Sequence, residues 1–153
     1  QHKIFIQQKK YHRSDDPTDL GVLQNIQNEE SGGVTVEESK KMTQIVIDAL
    51  EDKKAEDITI LDISEISVLA DYFVIADGNN RNQVQAMADS VEEALGRAGY
   101  EPKQIEGYQT ANWILMDYKD VIVHVFSKED RGFYDLERIW RDGKPVTKED
   151  LQH

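Results

Sequence analysis

The chain has 153 residues, of which 39% are hydrophobic and 31% charged, with a formal net charge of −12 and no cysteine. The length fits one globular unit with an extension, and the missing cysteines exclude a disulfide scaffold, a thiol nucleophile and a thiolate zinc site, as suits a reducing cytosol. No apolar run approaches the roughly 18 residues of a membrane span, and Ile4-Phe5-Ile6 is too short for a secretory signal.

Residues 1–33 are polar and rich in Asn, Gln and turn formers, and end in Ser31-Gly32-Gly33. They read as a flexible extension or a foreign leader. From residue 34 onward there are 14 basic and 25 acidic side chains, net −11. A body so acidic repels phosphate backbones, which argues against direct nucleic-acid binding and for a basic protein as partner.

Met42, Ile45, Val46, Ala49 and Leu50 recur at helical spacing. Ile58–Ile63 reads as a strand, and the continuous run Tyr72–Ala76 as a central one. Asn79 or Asn80 caps a long amphipathic helix marked by Val84, Met87, Ala88, Val91, Ala94, Leu95 and Ala98 and closed by Gly99. Asn112–Asp117 and Val121–Phe126 form a hairpin around Tyr118-Lys119, with Trp113 and Leu115 on one face and Ile114 and Met116 on the other. Both strands are apolar on two faces, so the face away from the helices is either buried too or exposed for a partner. An aromatic-rich helical segment follows from Phe133 to Trp140, then Gly143 and a polar end. This order gives an α/β (α+β) fold with a mixed sheet flanked by helices.

Residues in patterns that could carry chemistry are few. Of His2, His12, His124 and His153, no two stand at metal-binding helical spacing. His124, mid-strand between valines, suits a packed core or interface role better than a general base. Gly78-Asn79-Asn80-Arg81 opens a helix after a strand, yet no phosphate-binding glycine motif is present. Asp62 stands alone on its strand, and Asp117 and Asp120 flank a turn, so no carboxylate pair for magnesium is evident. Trp113 and Tyr118, in contrast, are the residue types that dominate interface energetics.

These residues fall into blocks that resemble the ribosomal silencing factor family, also called Iojap-like. The blocks are Asp71–Ala76, Gly78-Asn79-Asn80-Arg81 with Gln83-Val84, Ala88-Asp89, Glu106-Gly107, Trp113–Tyr118, Asp120–Phe126, Arg131 and Phe133–Trp140. The resemblance spans about residues 37–142. It departs from the family pattern at Asn82 and at Leu69-Ala70-Asp71. It implies a nucleotidyltransferase-like fold without its catalytic site, no enzymatic activity and no cofactor. It also implies a cytoplasmic factor, often homodimeric, that binds the large ribosomal subunit through its fourteenth large-subunit protein. Bound there, it blocks joining with the small subunit and represses translation when nutrients are scarce. Carried onto this chain, the partner-binding segment is Trp113, Leu115, Met116, Asp117 and Tyr118, with Trp113 as anchor on an apolar strand surface; Asp120, His124 and Tyr134 fall on secondary motif positions. The alternative is a nucleotidyltransferase-like enzyme acting on nucleotides with Mg. The expected layout is an extension over 1–33, the silencing-factor domain over 34–142 and a polar C-terminal tail over 143–153.

Overall fold

The computed structural model describes residues 35–68, 70–133 and 143–152. Helix α1, Val36–Asp52, starts where Thr35 accepts the Glu38 amide on its hydroxyl at 3.1 Å, with Glu37 and Glu38 favourably placed in the first turn. Strand β1 is Glu56–Asp62 and β2 is Tyr72–Gly78. Helix α2, Arg81–Arg97, is capped by Asn80, whose side-chain oxygen accepts the Gln83 amide at 2.8 Å. It ends in a left-handed Gly99 (φ 94°), with the Tyr100 amide donating to Leu95 O and the Gly99 amide to Gly96 O. That pattern satisfies the last carbonyls and needs a residue without Cβ strain.

The remaining elements are β3 (Gln104–Glu106), β4 (Trp113–Asp117), β5 (Val121–Ser127), α3 (Lys128–Phe133), β6 (Lys144–Val146) and a 3-10 turn at Glu149–Gln152. The six strands form one mixed sheet in the order β3-β4-β5-β2-β1-β6. Among the described residues only the central β2–β5 pair is parallel; the other four pairings are antiparallel. Helix α2 lies on the connection between these parallel neighbours, which need a crossover rather than a tight turn.

Alternation divides the sheet between two cores. One face carries Ile60, Tyr72, Val74, Ile114, Met116, Val121, Val123 and Val125, packed with Met42, Val46 and Leu50 of α1 and Val84, Met87, Val91 and Leu95 of α2. The other carries Leu61, Ile63, Phe73, Ile75, Trp113, Leu115, Ile122 and Phe126. Every residue of β2 is buried, as its continuous apolar run requires.

One side chain ties the two helices together. Gln83 accepts the Asn79 amide on Oε1 at 2.7 Å and donates from Nε2 to the Lys53 and Lys54 carbonyls at 3.0 and 3.1 Å. It thus occupies an orphan donor before α2 and orphan acceptors after α1.

The end of the chain differs from the expected polar tail. Residues 144–146 pair with Ile60–Asp62 as an edge strand, and Leu151, only 7% exposed, joins the helix-side core. A three-residue strand containing Pro145 carries too little alternation to be read from sequence, and Pro is tolerated there because the strand is an edge. The same brevity hid β3.

Candidate partner-binding site

The β4–β5 hairpin is closed at one end by Asp117, whose Oδ1 accepts the Lys119 amide at 2.8 Å, and by Lys119 itself in a left-handed conformation (φ 77°). Its register sets Trp113 opposite Phe126, Leu115 opposite His124 and Asp117 opposite Ile122. Trp113, Leu115 and Asp117 therefore share the face away from α1 and α2.

Across that face the Trp113 indole stacks on Phe126, with centroids 5.1 Å apart and planes 22° apart. The indole Nε1 donates to His124 Nδ1 at 2.9 Å. The imidazole meets the Phe73 ring edge-on at 4.8 Å. With Nδ1 accepting, a neutral imidazole carries its proton on Nε2, and that nitrogen finds no hydrogen-bond partner among the described residues. Burial pushes the His124 pKa down to about 3, because a low-dielectric surround disfavours the charged form.

At the far end of the same face, Arg131 of α3 reaches into the sheet. It donates to Asp77 Oδ2 at 3.1 Å, to Thr59 Oγ1 at 3.0 Å and to the Asp57 carbonyl. Asp77 is only 2% exposed, and burial holds its carboxyl above the usual range even though Arg131 opposes that shift. Thus an aromatic cluster and a buried ion pair occupy adjoining parts of one sheet face.

A family model described as "RsfS: Ribosomal silencing factor during starvation" matches residues 36–153. The chain belongs to the ribosomal silencing factor family. It is 41% identical over 111 residues to a ribosomal silencing factor of Halalkalibacterium halodurans, covering 72% of this chain and 95% of that protein. The Bacillus subtilis factor is 45% identical over 103 residues, with 67% and 87% covered. An Iojap-related mitochondrial protein of Arabidopsis thaliana is 30% identical over 112 residues, spanning 68% of this chain and 60% of the plant protein. A Bacillus halodurans crystal structure superposes with a TM-score of 0.64 at 40% identity, covering 70% of this chain and 97% of that one. One from Chromobacterium violaceum gives 0.65 at 38% identity, covering 69% and 88%.

In this silencing factor the residues expected at the partner site divide by face and by exposure. Trp113 and Leu115 are fully buried and Asp117 is 3% exposed, so of the two possibilities for the face away from the helices, buried or bare, this part of it is buried. Met116 and Tyr118 belong to the opposite, helix-covered core. Successive strand side chains point to opposite faces, which separates these two from Trp113. Asp120 accepts the Asp71 and Tyr72 amides on its backbone carbonyl at 2.8 and 3.2 Å, tying the hairpin to the start of β2. Tyr134 lies outside the described residues.

Asp62 accepts the Ser64 amide at 2.9 Å and hydroxyl at 2.6 Å, a turn-forming arrangement. Among the described residues no group of three or more His, Asp or Glu is arranged to hold a metal ion, and no helix is long and apolar enough to cross a membrane. The Trp113–His124 hydrogen bond was missed from the sequence, although the hairpin register makes the two residues diagonal cross-strand neighbours.

Proposed function

We propose that this silencing factor binds the large ribosomal subunit through its fourteenth large-subunit protein and sterically prevents the small subunit from joining, lowering translation under nutrient limitation. No chemical step is needed: occupancy of the joining surface is the mechanism. The observation that carries this reading is the family match over residues 36–153. The acidic balance of the body supports it, since complementary charge speeds encounter with a basic ribosomal protein and makes that encounter salt-dependent. The free protein is a homodimer, and it acts in the cytoplasm.

The docking region lies around the β4–β5 hairpin. Trp113, Leu115 and Asp117 share one face there; Met116 and Tyr118 seat the strand on the helices beneath. Because Trp113 is enclosed within the chain, it acts by shaping the docking surface rather than by projecting from it. The test is co-sedimentation with purified large subunits at low and high salt, for wild type and for Trp113→Ala checked for folding by circular dichroism. Wild type should pellet with the subunits and release as salt rises. The variant should bind at least about tenfold more weakly, as for an interface hot spot. Equal binding by a folded variant would place the docking region elsewhere.

A further inference from the structure

We propose that His124 is a positioning residue for ribosome docking, acting through Trp113. The inference rests on the reading of Trp113 as part of the docking region.

The geometry that carries it is local. His124 Nδ1 receives the indole N–H at 2.9 Å, and the indole lies stacked on Phe126 at 5.1 Å. One contact fixes the edge of the indole and the other its plane, so the largest fully buried side chain of the face has a single orientation. The imidazole is itself held edge-on by Phe73 at 4.8 Å and lies within 6.5 Å of Phe126.

His124 is 1% exposed and its Nε2 has no hydrogen-bond partner among the described residues. A buried donor left unmatched destabilises the fold; phenylalanine would fill the ring's place and remove that donor, but it would leave the buried indole N–H of Trp113 unmatched instead. What phenylalanine cannot do is accept the indole N–H. The position therefore ties the orientation of Trp113 to the imidazole acceptor.

Two substitutions separate these roles. His124→Phe keeps the ring and loses the acceptor. His124→Asn places an amide oxygen where Nδ1 stood and loses the rest of the ring. If His124 only filled space, binding would track stability, and the asparagine variant would be the worse of the two in both. The proposal predicts the opposite order for binding. Folded His124→Phe should bind large subunits about tenfold more weakly. His124→Asn, though less stable, should stay within about threefold of wild type while folded. Nitrogen-15 NMR of wild type should show Nδ1 unprotonated, and the indole N–H resonance should move in His124→Phe more than in His124→Asn.

Folded His124→Phe binding like wild type would overturn the proposal, as would a protonated Nδ1. If wild type itself fails to bind large subunits, the functional reading falls and takes this role with it. If wild type binds and His124→Phe binds equally, only the role of His124 falls.

Discussion

Arg131 shows at the scale of one residue why a buried charge needs its partner. Asp77 is enclosed, and Arg131 supplies the neighbouring positive charge while also bonding Thr59 and the Asp57 carbonyl. Arg131→Met should destabilise the fold by about 3 kcal/mol, measured by urea unfolding, because it strands the carboxylate. Adding Asp77→Asn should recover part of that loss. His124 gives a pH prediction. Its pKa falls from the ordinary 6.5 to about 3 on burial, so over that window the unfolded chain binds a proton that the native state does not. Stability contributed by the neutral imidazole is therefore present above the upper value and declines as the pH drops, by about 1 kcal/mol per pH unit. Denaturation between pH 7 and pH 4 should show a shallower decline in His124→Phe than in wild type; equal slopes would contradict the assignment. At this scale the sequence was legible in part. Alternation told which of Trp113, Ile114, Leu115 and Met116 share a face. It could not tell whether the face with Trp113 is covered, because alternation reports direction and not what lies above.

At the scale of elements, length decided what could be read. The two long helices and strands β1, β2, β4 and β5 carry enough periodic apolar residues to reveal themselves. Strands β3 and β6, three residues each, do not; their pairing comes from the neighbours that recruit them. The polar end beyond Gly143 is thus part of the sheet and core. Leu151→Ala should cost about 2 kcal/mol in thermal or urea unfolding, as for a large-to-small core change, whereas a solvated tail would show no change. Gln83 links α1 and α2 through three hydrogen bonds at their ends. Gln83→Ala should cost about 1–2 kcal/mol, and amide exchange should quicken just before α2, at Asn79, whose amide loses its acceptor. The capping role of Asn80 was legible because the residue type and its place before an amphipathic run coincide; the reach of Gln83 to α1 depends on tertiary packing.

At the scale of the whole molecule, the mixed sheet places a single parallel pair at its centre and lays both long helices on one face. The other face gathers the hairpin tryptophan, the histidine and the Asp77–Arg131 pair. The fold class and the family follow from sequence blocks that reappear on these elements, while the docking surface depends on burial that no one-dimensional pattern contains. In the proposed mechanism, occupancy of the large subunit excludes the small subunit by bulk alone. The most direct measurement is light scattering of subunit joining, with the protein incubated beforehand with either large or small subunits. Preincubation with large subunits should suppress formation of whole ribosomes in proportion to occupancy, and preincubation with small subunits should confer no additional effect. Undiminished joining by large subunits saturated with the protein would contradict steric exclusion.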